Sequence, residues 1–296
     1  MTAMILVTGA SGTVGGEAAR RLSATGVPVR VLVRNLERAQ ELATLPNVEI
    51  VTGDMGQPDS LGPALAGIDR ALLISSSVPA MEEVQNSFID AAVRAGVRHV
   101  VKLSGIIPDV ESPFRFGRMH GAIEQHLERS GMAWTHIRAG EFMHSYFRQV
   151  PSIVNRGILA LPMADQRIAS IDVGDIAEVA AITLTQPGHE GMTYPITGPE
   201  SLSMAEIAVK LSRVVGKPIR YVAVDPAEAK GVQLAAGVPP YLVDALAELF
   251  AERRKGKEAT VSPVIPDVFG WRPTSFDEFA DRYAAIFRGE ETPPRV

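Results

Sequence analysis

The sequence predicts an α/β protein: a doubly wound parallel sheet followed by a smaller, mainly helical C-terminal part. Three observations carry this. A glycine-rich stretch, Thr8-Gly9-Ala10-Ser11-Gly12-Thr13-Val14-Gly15-Gly16, follows the first apolar run and opens an amphipathic segment. Short β-branched runs and helical patterns then alternate as far as about Ile137. After Gly140 the alternation gives way to helical and proline-punctuated sequence. Regular strand–helix alternation requires right-handed crossovers onto a parallel sheet covered on both faces, which is a Rossmann-type arrangement.

The elements follow in order. Strands are predicted at Met4–Val7, Pro28–Val33, Val48–Val51, Arg70–Ile74, His99–Leu103 and Thr135–Ile137, where apolar residues run with little polar alternation. Strands buried on both faces read this way. Helices are predicted at Val14–Ala24, Ser60–Ala66, Glu82–Ala95 and Phe114–Ser130, and a further one over Asp172–Thr185. Ser203 with Glu206, and Ser275 with Glu278, have the spacing of capping boxes and predict two more helix starts. The expected division is 1–150 for the nucleotide-binding domain and 151–296 for a smaller substrate-binding or lid region, some segments of which return to the sheet.

Composition narrows the chemistry. The 296 residues include no cysteine, which removes disulfides, thiolate metal sites and cysteine nucleophiles and suits a cytoplasmic protein. Against 34 acidic residues stand 29 dispersed basic ones, net −5, so a nucleic-acid partner is not expected. No apolar run approaches the ~20 residues of a membrane span, and the first residues lack the basic and apolar regions of a secretory leader. The six histidines form no close metal-binding motif, and no metal is expected.

The glycine stretch has the spacing G-x-x-G-x-x-G. Glycine lets the backbone turn sharply and approach a pyrophosphate, which then sits on the N–H groups of a helix N-terminus. Placed after the first strand of a βαβ unit, it predicts a dinucleotide. An NAD-type site carries an acid at the end of the second strand; this chain has Val31-Leu32-Val33-Arg34-Asn35 instead. A guanidinium clamps a 2′-phosphate, so NADP(H) is favoured and NAD(H) is possible, with Arg38 one turn later able to assist. After the third strand, Asp54 and Met55 are placed to meet the adenine, although Asp54 equally suits a local turn. Ser75 and Ser76 follow the fourth strand, either as hydroxyls beside the ribose or as a polar loop.

TGASGTVGG, VLVRN, GDMGQPDSL, VVKLSG and HGAIEQHLERSGMAWTHIRAGEFM together resemble the NmrA-like, atypical short-chain dehydrogenase/reductase family, as does GHEGMTYPITGPESLSMAEIA. That family holds NAD(P)H-dependent quinone, azo-dye and triphenylmethane reductases and also non-catalytic redox sensors. The resemblance implies that Gly9, Ser11, Gly12, Thr13 and Val14 hold the pyrophosphate, Arg34 the 2′-phosphate, and Asp54 with Met55 the adenine. It further implies that Ser75 and Ser76 line the ribose, and that Ser104 and the Ala139-Gly140-Glu141-Phe142 loop flank the nicotinamide.

The wider superfamily protonates its substrate through a Tyr-x-x-x-Lys pair. Four residues beyond Tyr146, Tyr194, Tyr221, Tyr241 and Tyr283 stand Val150, Gly198, Asp225, Ala245 and Phe287, so the pair is missing. His120 is the remaining candidate acid or orienting group, four residues before Glu124, whose carboxylate would raise its pKa. Gly117 and Gly121 would let a ligand approach. Lys102 either reaches the site or serves a structural ion pair. Phe142, His144 and Tyr146 form a stripe that either covers a flat substrate or packs a helix.

The expected activity is NADPH-dependent hydride transfer to an electron-poor, conjugated small-molecule acceptor by a monomer or homodimer. An NADP(H)-sensing regulatory protein, or a reductase of imines or enones in secondary metabolism, is the alternative.

Overall fold

In the computed structural model, which describes residues 4–294, the chain begins with β1 (Met4–Val7), α1 (Thr13–Ala24), β2 (Val29–Val33), β3 (Val48–Thr52) and α2 (Gly62–Leu65). It continues through β4 (Ile68–Leu73), α3 (Met81–Ala95), β5 (His99–Gly105), α4 (Arg115–Arg129) and β6 (Ala133–Ala139). Then come α5 (Val150–Arg156), β7 (Ile158–Leu161), β8 (Arg167–Ile168), α6 (Val173–Thr185), β9 (Met192–Ile196) and β10 (Leu202–Ser203). The remainder is α7 (Met204–Val215), β11 (Arg220–Ala223), α8 (Pro226–Ala235), α9 (Pro240–Arg253), α10 (Phe276–Arg282) and α11 (Ala284–Phe287).

Seven strands form one sheet in the order β3-β2-β1-β4-β5-β6-β9. The pairings β1–β2, β1–β4, β2–β3, β4–β5 and β5–β6 are all parallel. Strand order reverses direction between β1 and β4, and ligands of such sheets bind outside the carboxyl ends of the strands at that switch point. The loops that leave β1 and β4 there carry Gly9 and Ser75.

The chain divides into two compact units. The first comprises residues up to Ser112, Phe116–Ala139 and Val173–Pro195, and the second comprises Pro113–Arg115, Gly140–Asp172 and the chain from Ile196 onward. In the first unit, Leu6, Ala71, Leu73 and Val100 of the sheet pack with Phe88, Ile89, Ile123 and Leu127 of α3 and α4, all essentially without solvent contact. On the other face α6 lies against α1, and Arg21 pairs with Glu178 between them. The second unit has two small sheets, antiparallel β10–β8 and parallel β11–β7, around an aromatic core of Tyr146, Phe147, Phe276, Phe279 and Phe287.

Both capping boxes form. Ser203 Oγ accepts from the Glu206 amide at 3.2 Å, and the Ser203 amide donates to Glu206 Oε2 at 2.8 Å. Ser275 and Glu278 repeat this at 3.3 and 2.7 Å. The elements differ from expectation in two ways besides the short strands β7, β8, β10 and β11, which fall in a part expected to be mainly helical. The helix expected over Ser60–Ala66 is a 3₁₀ turn, Pro58–Leu61, followed by the four-residue α2, because Gly62-Pro63 interrupts the pattern. β9 was not foreseen, since Pro195 lies inside it; it occupies the edge of the sheet, where a missing donor is tolerated.

Candidate active site

The β1–α1 loop is built by backbone packing. Gly9 has φ +63°, and a Cβ there would meet the Ile74 carbonyl oxygen at 3.0 Å. Thr8 Oγ1 holds the same strand end, donating to the Ile74 carbonyl and accepting from its amide, both at 2.8 Å. A Cβ on Gly15 would lie 2.7 Å from the Gly9 carbonyl carbon, so the first turn of α1 closes on the loop only with glycine at this position. Gly12 caps α1 with no side-chain hydrogen bond, and the first turn holds no acidic residue. No acidic side chain and no side-chain cap offsets the positive end of the α1 dipole, which favours an anion such as a phosphate there. Ser11 and Gly12 are exposed, Thr13 is half-buried, and Val14 is buried, leaving only its backbone to face a ligand.

Beside this loop lies a cleft of about 280 Å³ lined by Ala10, Ser11, Gly12, Arg20, Arg38 and Gln40 among others. Arg38 projects from the turn that follows β2, and Arg34 from the strand end itself; both are exposed. Among the described residues neither guanidinium has an ion-pair partner, whereas Arg20 on the same cleft is paired with Glu41. Arg38 on the cleft, which Glu37 and Glu41 also line, and exposed Arg34 at the end of β2 offer guanidiniums of the kind that bind an NADP-type 2′-phosphate.

Asp54 is partly spent locally: its Oδ1 accepts from the Gly56 amide at 2.9 Å in an Asx turn, and the Ser60 hydroxyl holds its backbone amide. Met55 is half-buried against the core of the first unit. Ser75 Oγ accepts from Gln85 Nε2 of α3 at 2.8 Å, and Ser76 is exposed.

At the carboxyl end of β5 the structure corrects two expectations, the support of His120 by Glu124 and the ligand access at Gly117 and Gly121. Glu124 does not support His120. It is buried and paired with Arg138 at 2.5 and 3.2 Å, and it also accepts from Ser104. His120 faces Lys102 instead, Nζ to Nδ1 2.9 Å. Burial, and then the neighbouring Lys102, hold the imidazole well below its usual pKa, opposite in sign to the expected effect of a carboxylate. Nor do Gly117 and Gly121 admit a ligand: Cβ atoms there would strike Ser112 Oγ and the Val110 amide, each at 2.9 Å. Finally Ser104 is 4% exposed, its hydroxyl held by Lys102 at 3.1 Å and by Glu124.

Lys102, which the strand pattern left undecided, is the central residue of this cluster. It is fully buried, and desolvation pushes its ammonium down to about 7, with Glu124 opposing and Arg138 reinforcing the shift. Sequence alone shows only an inward lysine in an apolar strand. The one signal in the sequence is the cost of burying a lysine in an apolar strand with no acid next to it.

Glu124, Glu128 and His136 bring possible ligand atoms within 4.8 Å of one another. Arg138 already neutralises Glu124, and His136 Nε2 is bonded to Glu128 at 3.1 Å, so this group is a salt-bridge network and we assign it no cation.

In the second unit, Gly140 is buried where a Cβ would meet the Ala169 carbonyl oxygen at 3.0 Å. Phe142 is half-exposed and its strand-like bridge to Ile171 fixes the loop that leaves β6 at buried Ala139. His144 and Tyr146 differ from it. His144 is packed within 5.3 Å ring-to-ring of Phe147, Phe279 and Tyr283, and Tyr146 lies edge-on to Phe276. Both belong to the aromatic core, so packing explains the stripe at these two positions and substrate contact does not.

The parallel sheet and the glycine loop at its switch point define a dinucleotide-binding fold. The NmrA-like family pattern matches residues 1–280, and the chain belongs to that family. It is 39% identical over 284 residues to an NAD(P)H azoreductase of Xenophilus azovorans, covering 96% of this chain and 99% of that one. It is 36% identical over 290 residues to a (4-alkanoyl-5-oxo-2,5-dihydrofuran-3-yl)methyl phosphate reductase of Streptomyces griseus, covering 97% and 100%. The crystal structure of an NADPH-dependent quinone oxidoreductase from Escherichia coli, complexed with NADPH, superimposes with a TM-score of 0.86 at 29% identity, covering 94% and 99%.

Proposed function

We propose that this protein is a cytoplasmic, NADPH-dependent oxidoreductase that transfers a hydride to an electron-poor conjugated acceptor, of quinone, azo or enone type, without a Tyr-x-x-x-Lys pair. The observation that carries the reading is Arg38 on the cleft beside the uncapped start of α1, with Arg34 exposed at the end of β2, neither in an ion pair among the described residues. When bound, the cofactor supplies the hydride. Gly9, Ser11, Gly12, Thr13 and Val14 hold its pyrophosphate through backbone donors, and Arg34 with Arg38 holds the 2′-phosphate. Asp54, through its remaining oxygen, and Met55 meet the adenine, while Ser75 and Ser76 meet the ribose.

The acceptors named for the azoreductase, the dihydrofuranone reductase and the quinone oxidoreductase share one property: hydride addition gives a delocalised anion. Such acceptors need orientation and exclusion of water more than they need strong acid catalysis. That demand suits a site whose candidate proton donor is the His120 imidazole, beside the last residue of β5. We assign cofactor binding to the first unit and acceptor selection to the second, in which partly exposed Phe142 bridges Ile171.

The test is a cofactor titration followed by an acceptor screen. Binding of NADPH at least tenfold tighter than NADH, with NADPH consumed in the presence of quinones, azo dyes or enones, is expected. Failure of the whole acceptor panel to oxidise bound NADPH would refute an enzymatic role.

A further inference from the structure

Lys102 is the only lysine among the fully buried large side chains, and nothing about holding a dinucleotide explains it. Its Nζ reaches three acceptors: the Leu103 carbonyl at 3.3 Å, Ser104 Oγ at 3.1 Å and His120 Nδ1 at 2.9 Å. Glu124, the acid that could have neutralised it, is taken by Arg138. A structural lysine is normally buried with a carboxylate of its own; this one is buried against an imidazole.

The chemistry of that contact is restrictive. An ammonium has three donors and no acceptor, so Nδ1 of His120 must accept and the ring proton must sit on Nε2. A Cβ on Gly105 would lie 3.3 Å from His120 Cδ2 and 3.9 Å from Nε2. The Nε2 edge of the ring is therefore set beside the last residue of β5, the strand end at which ligands of parallel sheets bind.

We propose that Lys102 is a positioning and proton-supplying residue that acts through His120, fixing the Nε2–H tautomer and replacing the proton which His120 gives to the reduced acceptor. The proposal rests on the reductase reading for the identity of the acceptor, but not for the tautomer. Two-electron reduction of a quinone-type acceptor takes one hydride, drawn from NADPH, and one proton. Hydride addition leaves charge on an acceptor oxygen. The His120 Nε2–H bond breaks as the O–H bond forms, while Lys102 Nζ–H breaks and His120 Nδ1–H forms. The imidazole ends neutral with its tautomer exchanged, and Lys102 ends as an amine that solvent reprotonates. A lysine brought to about pH 7 by burial can make that transfer; one in water cannot at useful rates. The charged and titratable groups facing Lys102 are His120 and Glu124 from α4 and His136 and Arg138 from β6. Of these Glu124 favours its charge and Arg138 opposes it, Lys102 itself lowers His120 and His136, and Ser104 lies on its own strand.

The test has two arms. In the cofactor-free protein labelled with ¹⁵N-histidine, long-range ¹H–¹⁵N spectra at pH 6 should show His120 as a neutral Nε2–H ring, assigned by its loss in His120→Gln. Lys102→Met should release the tautomer to a mixture. An Nδ1–H ring or an imidazolium in the wild-type protein overturns the proposal, whether or not any acceptor is reduced. In the second arm, wild-type quinone reduction should fall about tenfold per pH unit above roughly pH 7. Lys102→Met should lose on the order of 10²-fold at pH 6 and become flat with pH, still binding NADPH. An unchanged profile in Lys102→Met overturns the relay while leaving the reductase reading intact. If Lys102→Met does not fold, the wild-type tautomer alone decides. A wild-type protein that reduces no acceptor yet shows the Nε2–H ring supports the pair and defeats only the reductase reading.

Discussion

Lys102 Nζ lies 2.9 Å from Nδ1 of His120, and among the described residues its other hydrogen-bond partners are the Leu103 carbonyl and Ser104 Oγ, not a carboxylate. Burial and the facing group disfavour charge on both, so the Lys102 ammonium is brought down to about 7 while the His120 ring is held well below its ordinary pKa and stays uncharged. This pair, at the end of β5, and the Arg34–Arg38 pair, at the end of β2, both belong to the first unit.

The first prediction concerns cofactor choice. Replacing Arg34 with Ala removes a charge-assisted phosphate contact of about 1.5–3 kcal/mol, roughly ten- to hundredfold in affinity. Fluorescence titration should show that loss for NADPH and almost none for NADH. Equal losses for both would mean that Arg34 does not read the 2′-phosphate. Arg38→Ala should act in the same direction.

Gly15→Ala tests the phosphate loop. In most helices this change stabilises by about 0.5–1 kcal/mol. Here the added Cβ falls on the Gly9 backbone, so we expect a loss of about 1–3 kcal/mol in urea unfolding together with weaker NADPH binding. A gain in stability would contradict the packing described.

Acid and base stability follow from the buried bases. Burial depresses His99 to about 4 and lowers His120 too, so the unfolded chain binds more protons below about pH 6.5. Stability contributed by these neutral rings is therefore lost as pH falls from 6.5 toward 4. Lys102 shifts from 10.5 to about 7, so again the unfolded chain binds more protons, now between pH 7 and 10.5. Denaturant midpoints of the wild-type protein should accordingly rise relative to Lys102→Met as pH increases from 7 to 10. A constant difference would place Lys102 in a solvated or fully paired setting.

The second unit supplies a contrast. Tyr146→Phe removes two long contacts of the hydroxyl, to Ser170 Oγ at 3.5 Å and Met204 Sδ at 3.9 Å, and should cost less than about 1 kcal/mol, with the acceptor KM within twofold of wild type. Phe279→Ala empties the centre of the aromatic cluster and should cost about 3–5 kcal/mol. A large change in acceptor KM for Tyr146→Phe would return that side chain to the substrate site.

What the sequence revealed and what it hid divide along sequence separation. The glycine loop, Arg34 and both capping boxes are local patterns, legible because the residues that make each feature lie within a few positions of one another. His120 was also legible as a candidate, but its neighbour was not. Helical spacing pointed to Glu124; yet Arg138 from β6 claims that carboxylate, and Lys102 from β5 takes the ring nitrogen. Neither pairing is visible before the strands are aligned. His144 and Tyr146 were obscured in a similar way, because a stripe of aromatics reads alike whether it lines a pocket or meets Phe276 and Phe279 from a helix about 130 residues away in the chain.

The central claim is hydride transfer, and a single-turnover experiment reaches it most directly. Protein loaded with NADPH, or with NADPH carrying deuterium at nicotinamide C4, is mixed with a quinone, and the nicotinamide absorbance and the reduced acceptor are followed together. The account predicts loss of one NADPH per acceptor reduced, slowed by a primary isotope effect. Bound NADPH that persists unchanged in the presence of quinone, azo and enone acceptors would contradict it and leave a protein that binds the dinucleotide without using it.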